Sequence, residues 1–108
     1  MKDNEYIVVL IITSSQKEAA KIGKILVEEK LAASANIIPS IRSFFFWKQE
    51  FHDIPEALLI LNTKKFLFEK ITKRAKELHS YEIPEIIALP ILFGSNDFLG
   101  WVKGNVLT

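Results

Sequence analysis

Imidazole is the one soft-metal donor that the chain carries more than once: His52 and His79 stand beside a single methionine, Met1, and there is no cysteine. Tight Cu(I) binding asks for thiolate or thioether sulfur, and Zn(II) or Cu(II) sites gather several imidazoles. No spacing here does either within one chain. His79, at the end of a helical stretch, reads as a helix C-terminal histidine favoured by the helix dipole or as a ligand, and His52 as a solvated hairpin residue. Glu56 and Glu85 are the carboxylates that could meet a hard cation, although carboxylates are common on any surface. The run Phe44-Phe45-Phe46-Trp47 has the chemistry of a base-stacking platform or of an aromatic contact between subunits. No lysine or arginine followed by glycine and an aromatic accompanies it, which favours the contact. Thr13-Ser14-Ser15-Gln16 follows the first apolar run without the glycine or arginine of a phosphate cradle. With no nucleophile motif or convincing acid pair either, the chain does not read as an enzyme.

Composition narrows the partners. A length of 108 residues fits one domain, 1–108, and 49% hydrophobic residues supply more apolar surface than one core needs, which points to an oligomer. Fourteen basic against thirteen acidic residues leave a net charge of +1, no electrostatic footprint for nucleic acid or an anionic membrane. Without cysteine, thiol usage says nothing of redox compartment. The start Met1-Lys2-Asp3-Asn4-Glu5 is acidic where a signal peptide is basic, and the apolar run from Ile7 to Ile12 is too short to span a membrane, so a cytoplasmic location is expected.

These side chains must be positioned by elements that the periodicity outlines. Tyr6 to Ile12 is a nearly continuous aliphatic run, the pattern of a central strand buried on both faces. Ser15 with Glu18 makes a capping box, and Ala19, Ile22, Gly23 and Leu26 recur at helical spacing, which predicts a helix over Gln16 to Lys30. From Ala33 to Trp47 the odd positions are mostly apolar, a long strand with one buried face in which Pro39 predicts an edge position or a bulge. Lys48-Gln49-Glu50 links it to a second strand over Phe51 to Asn62, a hairpin without the usual glycine signal. Leu67, Phe68, Ile71, Ala75 and Leu78 mark a second helix ending near His79, Ile86 to Leu92 a last strand, and Gly94-Ser95-Asn96-Asp97 a cap for a helix with Phe98, Trp101 and Val102 on one side. The order strand, helix, strand, strand, helix, strand is that of an α+β, ferredoxin-like βαββαβ sandwich with a long hairpin and a C-terminal helix.

The segment Glu29-Lys30-Leu31-Ala32-Ala33-Ser34-Ala35-Asn36-Ile37-Ile38-Pro39 resembles the signature of the CutA (divalent cation tolerance) family. Ser43, Trp47, Glu56 and Thr63 continue the likeness in register, as do His79, Tyr81, Pro84, Glu85, Gly94 and Trp101. The resemblance covers nearly the whole chain. Departures are Ser34 for a usual cysteine, Phe45 and Phe98 for frequent tyrosines, Gln49 for a hairpin glycine, Asn62 for a frequent lysine, and Ile12 where some members carry a copper-binding cysteine.

Membership of that family implies a homotrimer on a scaffold similar to the PII signalling proteins, associated with tolerance of divalent metal ions such as copper and acting as a non-catalytic scaffold or sensor. It implies an inter-subunit cleft at Trp47, Glu56, Tyr81, Glu85 and Trp101, and it makes His79 the candidate metal ligand, because three-fold symmetry turns one histidine into three. At most weak, nonselective Cu(II) or Zn(II) binding is then expected, with no other cofactor. A PII-like regulator that binds a small anionic ligand between subunits, at Lys64, Arg42 or a helix N-terminus, is the alternative, and a single-strand nucleic-acid binder the third reading.

Overall fold

Residues 5–108 are described by a computed structural model; the expectations that rest on Met1 to Asn4 lie outside the described residues. The chain forms β1 (Tyr6–Thr13), α1 (Gln16–Glu28), β2 (Ser34–Trp47), β3 (Glu50–Lys64), a 3₁₀ turn (Lys65–Leu67), α2 (Phe68–Leu78), β4 (Ile86–Pro90) and α3 (Asn96–Gly104). The strands make one antiparallel sheet in the order β2-β3-β1-β4. This is the ferredoxin-like α+β arrangement that the element order predicts. Helix α1 stops two residues before the expected Lys30, and β4 stops at Pro90 rather than at Leu92.

Side chains on a strand alternate between faces, so the phase of the two central strands decides what is core. Ile7, Val9, Ile11 and Thr13 of β1 pair with Thr63, Leu61, Leu59 and Ala57 of β3, and all eight are buried. Ala19, Ile22 and Leu26 of α1 and Ile71 and Ala75 of α2 complete this core. An aliphatic side chain taken wholly out of water contributes about 1.5–3 kcal/mol, so this single layer carries most of the fold. At Gly23 the helix comes so close that an added Cβ would lie 2.8 Å from Leu59 and 3.2 Å from Ala35. The expected two-sided burial of β1 is not met within one chain: Tyr6, Val8, Leu10 and Ile12 face away from the helices and are only half-buried.

Pro39 sits on an edge strand and in a bulge. Ile38 pairs with Leu58 and Ile41 with Glu56, so Pro39 and Ser40 together oppose the single residue Ala57. Proline has no N–H to give to the ladder, and the irregularity falls where it is missing. One extra residue reverses the phase. Ala35 and Ile37 lie on the helix side opposite Leu61 and Leu59, whereas Ile41, Ser43, Phe45 and Trp47 lie on the other side, opposite Glu56, Ile54, His52 and Glu50. The expectation of one continuous buried face from Ala33 to Trp47 is corrected accordingly.

Helix ends are closed by specific bonds. Ser15 caps α1 by accepting from the Glu18 N–H at 3.1 Å, and Ser95 caps α3 by accepting from the Phe98 N–H at 3.2 Å. At the other end of α1, Lys30 (φ 60°) donates to Val27 and Leu31 donates to Leu26, each at 3.0 Å, a Schellman closure with lysine where glycine is usual. The buried Thr63 hydroxyl then donates to the Leu31 carbonyl at 2.6 Å. Of the α3 residues expected on one side, only Val102 enters the core; Phe98 and Trp101 stack on each other at 5.9 Å on the exposed surface.

The hairpin turn is two residues long, and both Lys48 (φ 50°) and Gln49 (φ 69°) adopt left-handed backbone. That matches the twist of the strands but strains a residue with a Cβ by about 1–2 kcal/mol. Replacing Gln49 by glycine removes the strain but restores some unfolded-state entropy, for a net gain on the order of 0.5 kcal/mol. Gln49→Gly is expected to raise the thermal midpoint and Gln49→Pro to lower it sharply; a glycine variant that melts earlier would contradict the left-handed turn.

Candidate functional site

Where β1 ends, the chain after α2 crosses back towards β4, and the family-matching polar residues meet there. His79 follows α2 directly, and its side chain is 0% exposed. Its Nδ1 accepts the Tyr81 N–H at 3.0 Å and its Nε2 lies 2.7 Å from the Ile12 carbonyl oxygen. A backbone N–H can only donate and a carbonyl can only accept, so the ring is neutral with its proton on Nε2. The Tyr81 hydroxyl donates to Glu56 Oε2 at 2.6 Å, and the Tyr81 and His79 rings lie 5.0 Å apart. Glu56, on β3, is 5% exposed.

Glu18 closes the cluster from the first turn of α1. One carboxylate oxygen accepts from the Ser14 N–H and the Ser14 hydroxyl, both at 2.9 Å, and the other accepts from the Ser80 N–H at 2.7 Å. The capping box is therefore displaced by one residue: Glu18 reaches the N–H of Ser14 rather than that of Ser15, and spends its second oxygen on the loop after α2. Burial pushes the Glu18 carboxyl up, but the bonds from Ser14 and Ser80 outweigh it and hold the group below its ordinary value. Burial, then the Glu56 acceptor bond and the charges of Glu56 and Glu18, push the Tyr81 hydroxyl above its ordinary value. Tyr81 stays a donor and Glu18 an acceptor throughout the neutral range.

The expected site residues take different places within one chain. His79 has both ring nitrogens engaged, and among the described residues of one chain no three histidine, aspartate or glutamate side chains gather as a metal-holding group. Glu85 has an exposed side chain and joins the cluster only through its carbonyl, which accepts from the Ile12 N–H at 3.2 Å. Trp47, beside the turn, carries the Lys48 ammonium 5.6 Å from its ring centroid, and Trp101 lies on α3 against Phe98. Within one chain, therefore, Glu56 and Tyr81 are brought together, while Trp47 and Trp101 stand apart from them. His52 is half-buried rather than solvated, stacked on Phe45 at 5.1 Å. The two cations considered for an anionic ligand are both paired: Arg42 donates two bonds to Asp53 at 2.9 and 2.8 Å, and the buried Lys64 pairs with Glu5 over the Tyr6 ring. The roles of Ser14, Ser80 and the Ile12 carbonyl are not visible in the sequence; the Ser15–Glu18 spacing is the one local signal, and it points to a helix start rather than to a clasp.

A surface depression of about 410 Å³ lined by Glu5, Lys65, Phe66 and Glu69 lies at the other end of β1 from this cluster. No helix among the described residues is long and apolar enough to cross a membrane.

The family model described as CutA1 divalent ion tolerance protein matches residues 7–105. The divalent-cation tolerance protein CutA of Thermus thermophilus is 44% identical over 98 residues, which is 91% of this chain and 95% of that protein. The chloroplastic CutA of Arabidopsis thaliana is 38% identical over 92% of this chain, which spans about half, 54%, of that protein's length. The solved structure of the Thermus thermophilus protein superposes with a TM-score of 0.90 at 42% identity, covering 94% of this chain and 98% of its own.

The clasp has a measurable acid limb. A carboxyl held below its unfolded value contributes stability that is present above the ordinary value of 4.5 and is lost as pH falls through the lower folded value. Glu18→Gln is expected to flatten the acid side of a melting-temperature profile and to lower neutral-pH stability by about 1–3 kcal/mol, since three donors lose a charged acceptor. An acid limb as steep as that of the unmodified protein would show that Glu18 does not carry it.

Proposed function

The chain belongs to the CutA1 divalent ion tolerance family, and from that premise we propose that it acts as a homotrimer, a non-catalytic scaffold or sensor in the tolerance of divalent cations. The observation that carries the assembly is the sheet face opposite the helices. Val8, Leu10, Ile12, Leu58, Ile60 and Ile87 share it by strand register, and within one chain the first five are only half-buried and Ile87 is exposed. Soluble monomers rarely leave so continuous an apolar face in water. Phe93 is 93% exposed and Leu92 72%, in the segment between β4 and α3, and on the hairpin the buried His52 Nε2 has no partner among the described residues. These features favour completion by further copies of the same chain.

The non-catalytic part rests on what the polar cluster is engaged in. Its donors and acceptors are spent on each other and on the backbone, which is the pattern of a structural clasp. The anionic-ligand alternative is less well supported, because Arg42 and Lys64 would first have to leave Asp53 and Glu5. A cation that acts on this protein would find ligands contributed by several subunits, with carboxylates such as Glu85 the exposed donors.

Light scattering of the purified chain is expected to give one species near three times 12.4 kDa. A monomer at micromolar concentration would remove the basis of the reading. Trp47, whose face of the hairpin is the one continuous with Glu56, is expected to anchor the contact, so Trp47→Ala should weaken assembly by about 2 kcal/mol in dilution measurements. An unchanged dissociation midpoint would place Trp47 outside the contact.

A further inference from the structure

His79 is held in one protonation state by two groups that have no choice of role. The Tyr81 N–H takes the lone pair of Nδ1, and the Ile12 carbonyl takes the proton of Nε2. The side chain is 0% exposed, so a second proton cannot reach Nδ1 while the Tyr81 N–H occupies it. Glu18 Oε2 already waits 3.9 Å from the same nitrogen. Uptake of a proton therefore exchanges one bond for another: Tyr81 N–H to Nδ1 is lost, and Nδ1–H to Glu18 becomes available.

The other charged groups around the ring set the direction in which a cation on it would be drawn. From β3, Glu56 holds the Tyr81 hydroxyl; from the hairpin, Lys48 reaches Glu82 at 3.8 Å; from the loop itself, Glu82 and Glu85 are exposed; β1 contributes only the Ile12 carbonyl. A protonated His79 is thus pulled towards α1, away from Tyr81, and the bond that fastens the Tyr81 backbone to the ring is lost. We propose that His79 is a proton-operated latch: neutral, it holds the 79–82 segment against the end of β1 with Tyr81 covering Glu56; protonated, it turns to Glu18 and gives up the Tyr81 N–H, loosening the segment that covers Glu56. Every group named belongs to one chain.

The intact protein tests it by nuclear magnetic resonance. Long-range proton–nitrogen spectra at about pH 8 should show the His79 proton on Nε2 alone, and lowering the pH towards about 5, the range in which imidazoles exchange their second proton, should add one at Nδ1. Over the same titration the Tyr81 amide, after correction for intrinsic exchange, should lose protection by about ten-fold or more while the Val9 amide of β1 does not. Glu18→Gln should move that transition to lower pH, and His79→Gln should abolish it. A proton on Nδ1 at neutral pH, a ring that stays neutral throughout the range, unaltered Tyr81 protection while His79 titrates, or a transition that persists in His79→Gln would each overturn the latch. Because the unmodified protein supplies the first three readouts, the test stands even if a variant fails to fold.

Discussion

Both long helices lie on one side of the sheet, and that obliges β1 and β3 to keep a common phase along their whole pairing. Every odd residue from Ile7 to Thr13 meets an odd residue from Ala57 to Thr63, and any slip would carry Val9, Ile11, Leu59 and Leu61 to the uncovered face. The close seat of α1 at Gly23 allows no compensation, because Leu59 already fills the space a larger side chain would need. With these strands locked, the edge strand β2 is where the phase can change, and the bulge at Pro39 and Ser40 is where it does. The consequence is functional geometry: beyond the bulge, Ile41, Ser43, Phe45 and Trp47 turn to the same side as Glu56, so the aromatic end of the hairpin continues the open face rather than the core.

The polar cluster answers a different demand. The chain must pass from the end of α2 to the start of β4 across the end of β1, where backbone groups would otherwise be buried without partners. Ile12 supplies both a carbonyl, to His79, and an N–H, to Glu85; Ser80 gives its N–H to Glu18 and Tyr81 gives its own to His79. His79 and Glu18 are thus spent largely on main chain, and a bond between side chains, Tyr81 to Glu56, fastens the segment to β3. Such a network is stable as a whole and sensitive in its parts, since the removal of one partner strands the rest.

How much of this is legible in the sequence depends on which physical signals are local. The helix stripe Ala19, Ile22, Gly23, Leu26 and the caps Ser15 and Ser95 are readable because period and hydrogen-bonding chemistry lie within a few residues. Pro39 announces an irregularity but not its phase reversal, which depends on the partner strand. The hairpin is readable from its two flanking strands although its turn carries no glycine, because left-handed Lys48 and Gln49 are held by the pairing on either side. Tyr81 stands out through the family resemblance alone, and His79 and Glu56 stand out as possible ligands rather than as structural partners; their contacts span 25 and 67 residues of sequence, and no window shows that. Glu18 is legible as part of a helix start but not as the partner of Ser80, 62 residues away.

The departures from the family pattern have identifiable surroundings in the structure. Ser34 and Asn62 both depart, and they are directly opposed across β2 and β3, with the Asn62 amide donating to the Ser34 hydroxyl at 3.0 Å. The two side chains thus answer each other across the half-buried pair of strands. Phe45 has lost a hydroxyl relative to the frequent tyrosine and stacks flat on His52, an interplanar angle of 13°, so its face is used where an edge hydroxyl is absent. At Gln49 the missing glycine is tolerated without a local partner, at the expense of strain that the long strand pairing absorbs. Ser34, Asn62 and Phe45 thus lie on the sheet face away from the helices, paired with one another or with His52, whereas at the end of β1 His79, Tyr81 and Glu56 answer to fixed backbone groups and to one another.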